Sequence, residues 1–218
     1  MEKRSTIVKG ERPYYFALDL IKQKTSLKED DAILFFDLLI LFIKKHLLYY
    51  RSIKILSFGK ISLKYTKKKG IKVRFSTARF LKLFITNKKP HNFKYCPRQT
   101  PSLMTEISAK ISKILLIDRK EIAFLINIFF FSLVEELIKN RIVKVRFFAY
   151  FYLARYNFKE MTIFGKKRVA LESVQIDPIK SFRKEINNKT TQFRVTDRVK
   201  RVFSKFNMTN EIKLEEFL

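Results

Sequence analysis

A repeat at a spacing of 90 residues constrains the fold of this 218-residue chain more than any other feature of its sequence. Without gaps, LKEDDAILFFDLLILFIKKHLLYYRSIKILSFGKI (27–61) aligns with IDRKEIAFLINIFFFSLVEELIKNRIVKVRFFAYF (117–151). Few identities remain, among them Arg51 with Arg141 and Phe58 with Phe148, but both copies show the same succession of local patterns. We interpret this as an internal duplication, so the chain is expected to build one structural unit twice.

Each copy reads as a pair of helices followed by antiparallel strands. The first copy has helical spacing of apolar residues over 14–24 after Pro13, and in the second copy Thr105 is placed to cap a helix. A longer helix that is apolar nearly all round follows in each copy and should be buried on most sides. Alternating strands come next, with Lys69-Gly70 as a hairpin turn, and short basic helices are expected over 77–85 and 178–187. The predicted class is α+β.

The composition between the copies divides the chain into four parts. The segment 88–102 contains Pro90, Pro97 and Pro101, three of the five prolines, and is predicted to be a semi-extended linker. It separates a first unit, 13–87, from a second unit, 103–188. The remaining residues, 189–218, include RVTDRVKRVFSKF and are predicted to form a basic amphipathic extension.

The charge indicates a polyanionic partner. Forty-seven Lys and Arg residues against 20 Asp and Glu give a net charge of +27, which costs self-repulsion in a folded chain. Between Asp37 and Glu106 there are 17 basic residues and no acidic one. A single-sign stretch of this length is typical of a binding surface, with nucleic acid as the first candidate and an anionic membrane surface as the second.

Other features exclude several classes of protein. The apolar runs around Asp37 and Asn127 are too short to span a bilayer, and the N-terminus lacks the apolar core of a signal peptide. Cys96 is the only cysteine, so no intramolecular disulfide is possible and a reducing, cytoplasmic location is expected. His46 and His91 have no metal-ligand spacing around them, and no metal site is expected.

No catalytic arrangement stands out in the sequence. Glu135-Glu136 are adjacent on a predicted helix, where neighbouring side chains diverge. There is no phosphate-binding glycine loop, and the chain has only four glycines. The sequence therefore predicts a protein that is not an enzyme and needs no cofactor.

The succession of elements resembles the HU/IHF family of bacterial histone-like DNA-bending proteins. ILSFGKI (55–61) is similar to that family's helix-to-strand region, where Gly-Phe-Gly is typical, and Ser57-Phe58-Gly59 keeps the Phe and the second Gly. Phe147-Phe148-Ala149 keeps only the Phe. MTEI (104–107) looks like the family's N-terminus, and Pro178 falls where the family has a Pro at the foot of the returning arm. The resemblance covers nearly all of residues 14–187.

The resemblance implies two tandem HU/IHF-like units, each with a helix pair, a three-stranded antiparallel sheet with a β-ribbon arm, and a C-terminal helix. Family members are usually dimers of one such unit, so the tandem chain is expected to be a monomer that forms an intramolecular pseudo-dimer. The first arm should be short and end at Lys67-Lys68-Lys69-Gly70. The second should have nearly family length, with its tip around 163–168 and Phe164 in the place of the family's intercalating Pro.

On this basis we predict architectural, largely sequence-nonspecific binding and bending of double-stranded DNA by a cytoplasmic, nucleoid-associated protein. The predicted DNA-binding residues of the first unit are basic residues of its strands and arm: Lys54, Lys60, Lys64, Lys67, Lys68, Lys69, Lys72 and Arg74. Those of the second unit are Lys144, Arg146, Arg155, Phe164, Lys166, Lys167 and Arg168.

Two other functions remain open at this point. The chain would suit an RNA-binding or ribosome-associated protein if Tyr65, Phe75 and Tyr156 stacked on unpaired bases. It would also suit a protein-interaction module that kept the HU fold and lost DNA binding, since the glycines are eroded and the tip Pro is missing.

Overall fold

A computed structural model describes residues 13–55, 58–66, 70–78, 81, 85, 103–162, 165–187 and 193–205. Within these ranges the protein is mixed α+β, with six helices and two three-stranded antiparallel sheets, so the predicted class is confirmed. The first set of elements comprises α1 (Tyr15–Lys24), α2 (Glu29–Tyr50), β1 (Ser52–Ile55), β2 (Gly59–Thr66) and β3 (Gly70–Thr77). The second set comprises α3 (Leu103–Leu115), α4 (Arg119–Asn140), β4 (Ile142–Val145), β5 (Ala149–Thr162), β6 (Gly165–Pro178) and α5 (Lys180–Asn187). A further helix, α6 (Asp197–Lys205), follows.

The two sets repeat the same junction between long helix and sheet. Helices α2 and α4 both have 22 residues, and each is followed by an arginine in the left-handed region, Arg51 with φ 64° and Arg141 with φ 62°. The carbonyl of Arg51 accepts a hydrogen bond from the Leu63 amide (2.7 Å), and that of Arg141 accepts one from the Leu153 amide (2.9 Å). The chain therefore passes from the long helix into the first strand with the same backbone geometry in both sets.

Two expectations about the helices need correction. Helix α3 begins at Leu103, so Thr105 lies inside the first turn and is not its cap; its carbonyl accepts a hydrogen bond from the Ser108 hydroxyl. Helix α2 is buried nearly all round, as predicted, but α4 exposes Phe124, Asn127 and Ile138 on one side. The linker and most of 77–85 lie outside the described residues, whereas α5 falls within the predicted 178–187.

The first helix of each set packs against the long helix of the other set. Helix α1 contacts α4, and α3 contacts α2. The ring of Phe129 on α4 lies 6.1 Å from that of Tyr14 and 5.0 Å from that of Phe36 on α2, measured between centroids. The Tyr15 hydroxyl donates to Glu136 of α4 at 2.7 Å. Both sets therefore share one continuous hydrophobic core.

The two sheets also meet at their bases. Strand β3 contacts β6, and the ring centroid of Phe151 lies 5.7 Å from that of Phe58 and 6.3 Å from that of Phe75. Phe58 also packs against Phe130 of α4 at 5.1 Å. The bases of the hairpins β2–β3 and β5–β6 therefore pack against each other through one aromatic cluster, formed by Phe58, Phe75, Phe130 and Phe151.

Residues 193–205 cover one side of α2. Val199 and Phe203 of α6 are buried, and the Thr196 hydroxyl donates to Asp37 at 2.8 Å. Arg198 pairs with Asp30 at 2.5 Å. Helix α6 lies within the predicted basic extension and completes the core around α2.

Lys44 of α2 is buried beneath this cover, with 1% of its side chain exposed. Its ammonium group lies 2.6 Å from the carboxylate of Glu185 in α5 and faces the rings of Phe182 (5.5 Å) and Phe193 (5.0 Å). Burial lowers the pKa of Lys44, and the charge of Glu185 opposes that shift. A lysine buried in this way is retained only with a partner. The packing of α2 at this point therefore depends on Glu185 of α5 and on Phe193 in the segment after it.

Gly59 should tolerate no side chain. Its φ is +156°, and a Cβ there would lie 2.4 Å from the Ser76 carbonyl oxygen and 2.7 Å from the Phe75 ring. We expect Gly59→Ala to lower the free energy of unfolding by about 1–3 kcal/mol in urea denaturation, because the backbone is strained for any L-residue. Ser62→Ala, on the same strand, is the control and should stay within about 0.5 kcal/mol of the wild type. Equal stability of Gly59→Ala and the control would contradict this view.

His46 gives the core a pH dependence on the acid side. It lies on α2 with 6% of its surface exposed and its ring 4.2 Å from that of Tyr50. Burial, together with the smaller effect of the charge of Lys110 on α3, lowers the pKa of His46 from 6.5 to about 4. The neutral imidazole is therefore favoured in the folded protein.

Replacing His46 should flatten the pH dependence of stability. As the pH falls from 6.5 towards about 4, the unfolded chain takes up a proton that folded His46 does not, so the wild type loses stability in that window. We expect His46→Gln to show a smaller fall in melting temperature than the wild type between about pH 7 and about pH 4.5. His91→Gln, at the other histidine of the chain, should behave as the wild type. An undiminished fall in His46→Gln would place the acid sensitivity elsewhere.

Candidate nucleic-acid interface

The hairpin β2–β3 has one apolar side and one basic side. Ile61 is buried, and Leu63, Ile71, Val73 and Phe75 are packed against the core. The alternate positions point away from the core because successive residues of a strand face opposite sides. These exposed positions hold four of the predicted DNA-binding residues: Lys60, Lys64, Lys72 and Arg74.

The strand register places like charges directly opposite each other. Lys64 pairs with Lys72 across β2 and β3, and Lys54 of β1 pairs with Lys60 of β2. No acidic residue occurs in β1, β2 or β3. Like charges at directly opposite positions destabilise a sheet. A polyanion bound over this side would offset the repulsion between these lysines.

The base of the second sheet is mixed in sign. Lys144 pairs with Tyr150 and lies 5.9 Å above its ring, and Arg146 stacks on Phe147 at 4.7 Å. Arg155 is exposed but stands opposite Glu172, which accepts a hydrogen bond from Arg141 at 2.8 Å. The base of the second sheet thus exposes Lys144, Arg146 and Arg155, but Glu172 lies opposite Arg155. The strands of the first sheet have no such acidic residue.

The hairpin β5–β6 extends much farther than β2–β3. Its strands have 14 residues each, against 8 in β2 and β3, and they turn between Thr162 and Gly165. Strands β2 and β3 are paired up to Thr66 and Gly70, so Gly70, predicted as part of the turn, lies in β3. Phe164, Lys67, Lys68 and Lys69 lie outside the described residues.

The register of the long hairpin gives each of the three consecutive basic residues a different partner. Lys166 pairs with Met161 and Arg168 with Lys159, whereas Lys167 pairs with Glu160. The side chains of Lys159, Lys166, Lys167 and Arg168 lie outside the described residues. Lys159 pairs with the predicted residue Arg168 but was not itself predicted, although it lies within the long arm that the sequence predicts.

The titratable groups of the interior do not form an open site. Asp37 is buried and accepts hydrogen bonds from Tyr14 and Thr196, both at 2.8 Å. Burial raises the pKa of Asp37, the two hydrogen bonds oppose that shift, and burial also raises the pKa of Tyr14. Glu135 is exposed, whereas Glu136 accepts hydrogen bonds from Tyr15 and Asn140, so the two carboxylates do not act as a pair.

The described residues contain neither a candidate metal site nor a candidate membrane-spanning helix. No three His, Cys, Asp or Glu side chains there are grouped so that they could hold a metal ion. No helix in the same part of the chain is long and apolar enough to cross a bilayer.

Comparison with known proteins adds no family to this picture. No protein-family model matches the chain, and no curated protein matches it. The function therefore has to be argued from the geometry of the two sheets and their hairpins.

Lys72→Glu should stabilise the fold while removing a binding charge. It replaces a repulsive pair with an attractive one opposite Lys64, so we expect a gain of about 0.2–1 kcal/mol in the free energy of unfolding at low salt. Lys72→Gln should give a smaller gain, and both gains should shrink in about 1 M salt, where exposed charges are screened. Unchanged stability of both variants at low salt would show that the opposed lysines do not repel.

Proposed function

We propose that this chain is an architectural protein of the HU/IHF type that binds and bends duplex DNA, mainly through its phosphates. The observation that carries the proposal is the exposed side of β1–β3. There basic residues stand opposite each other without an acidic neighbour on any of the three strands. A protein gains nothing from this repulsion by itself, and a phosphate backbone removes it.

The mutual packing of the two sets supports an intramolecular pseudo-dimer. Each set contributes a short helix to the long helix of the other, and the two hairpins start side by side. The chain is accordingly proposed to act as a monomer that presents two ribbons to one duplex, in the cytoplasm and in association with the nucleoid. The tandem units are proposed to be 13–87 and 103–188.

Different parts of the surface take different roles in this proposal. Lys60, Lys64, Lys72 and Arg74 contact phosphates from the short hairpin. Lys54, Lys144 and Arg146 support the flanks of the bound duplex. The long hairpin carries Lys159, Lys166 and Arg168 along the DNA, with Phe164 at the tip as the residue proposed to wedge between base pairs.

RNA binding has less support from the structure than duplex binding. Of the three aromatic residues available for stacking, Phe75 is half-buried and packs against Phe58 at 4.9 Å. The side chains of Tyr65 and Tyr156 lie outside the described residues. Duplex binding requires none of these rings, because it depends on the exposed lysines and arginines.

Neutralising the short hairpin should lower both affinity and its salt dependence. If Lys64, Lys72 and Arg74 each contact one phosphate, replacing all three with Gln should lower the slope of log affinity against log salt by roughly 0.9 per residue, or about 2–3 in all. The loss should be similar for unrelated duplex sequences. Electrophoretic mobility shifts at several salt concentrations measure both quantities. The triple variant Lys113→Gln, Lys120→Gln, Lys139→Gln removes the same charge from exposed positions on α3 and α4 and should leave the slope nearly unchanged.

Three outcomes would contradict the proposal in different ways. An equal slope in the hairpin variant and the wild type would show that the hairpin does not contact the backbone. Tighter binding to structured RNA than to duplex DNA, in direct competition, would favour the RNA-binding function. Absence of any salt-sensitive binding to random duplex would favour a protein-interaction module.

A further inference from the structure

The two hairpins differ in reach although they start at equivalent places. Gly59 pairs with Thr77 at the foot of one hairpin, and Ala149 pairs with Pro178 at the foot of the other. From there β2 and β3 run for 8 residues each, and β5 and β6 for 14. At about 3.4 Å per residue, the six additional residue pairs extend the second ribbon by about 20 Å.

Because the two hairpins are in contact at their bases, the longer one extends farther from the protein core. Phe75 of β3 and Phe151 of β5 lie in ring contact, and both belong to the first few residue pairs above the foot of their hairpins. The additional six pairs therefore extend beyond the short hairpin. They contain Lys159, Lys166, Lys167 and Arg168 against one acidic residue, Glu160.

The additional length is large on the scale of DNA grooves. Both grooves of B-DNA are about 8 Å deep, so a further 20 Å of ribbon cannot be accommodated by deeper insertion alone. The ribbon then runs along a groove or around the duplex, and a bend of the duplex towards it brings more of this length into contact with the DNA. The short hairpin, with Lys64 and Lys72 two pairs from its end, can reach phosphates without such a bend.

We infer that the protein is an asymmetric clamp that deforms the duplex at one point only, on the side of the long hairpin. Its preferred ligand is duplex DNA with a single flexible discontinuity, such as one nick. The short hairpin holds the opposite flank as straight DNA. This inference rests on the proposed duplex-binding function and adds a ligand class and a polarity to it.

The test compares duplexes with no nick, one nick and two nicks separated by about one helical turn, or about 10 base pairs, with the spacing varied around that value. A nick removes stacking that a bend would otherwise have to break. We expect the first nick to tighten binding by on the order of tenfold, and the second to change it less than about twofold.

Two length variants sharpen the test. Deleting residues 157–162 and 165–170 leaves Tyr156 paired with Leu171 next to the turn and matches the short hairpin at eight pairs. This variant should lose the preference for the first nick. Grafting residues 157–170 between Thr66 and Gly70, in place of 67–69, gives two long hairpins with the same alternation of sides. This variant should gain from the second nick about as much as from the first.

A charge control separates length from electrostatics. Replacing Lys159, Lys166, Lys167 and Arg168 with Gln keeps 14 pairs but removes the distal charges. We expect weaker binding and a lower salt slope, with the preference for a single nick retained. Loss of that preference in this variant would mean that charge, and not reach, causes it.

The remaining outcomes distinguish failure of the inference from failure of the proposed function. Comparable gains from both nicks in the wild type would show that both hairpins deform the DNA, and no gain from either would show that neither does. Each of these overturns the asymmetric clamp while leaving duplex binding intact. Absence of salt-sensitive binding to every duplex overturns the proposed function itself.

Discussion

The packing of each first helix against the long helices of both sets is the interaction on which the rest of the structure depends. Helix α1 contacts both α2 and α4, and α3 contacts both α4 and α2, so each long helix is covered by helices from both sets. The aromatic cluster of Tyr14, Phe36 and Phe129 joins three helices from both sets at centroid distances of 5–6 Å. Because interiors this dense transmit small displacements, this packing also fixes how the two sheets stand relative to each other.

The basic side of the short hairpin is tolerated because its other side is anchored. Phe58 and Phe75 hold β2 and β3 onto Phe130 and Phe151, which belong to the second set. Apolar burial on this scale outweighs the modest repulsion between opposed lysines. Affinity for a polyanion and stability of the sheet are thus assigned to opposite sides of the same strands, and substitutions on one side need not disturb the other.

Local pattern predicted the elements well but not their partners. The repeat located α2, α4 and the strands, because periodicity is a local property. The pairing of Lys167 with Glu160 cannot be read from either strand alone, because register is decided only when two strands meet. The burial of Lys44 depends on Glu185 and Phe193, about 150 residues away, and no window of sequence around the lysine contains them.

The cover over α2 has a consequence for how the chain acquires its fold during synthesis. Asp30 and Asp37 are made early, yet Arg198 and Thr196, which pair with them, emerge from the ribosome about 160 residues later. Helix α1 must likewise wait for α4. At about 5–20 residues per second, the apolar sides of α2 stay without their final cover for roughly 10–30 s. The nascent first half therefore presents to chaperones an incomplete, strongly apolar helix pair attached to a basic hairpin.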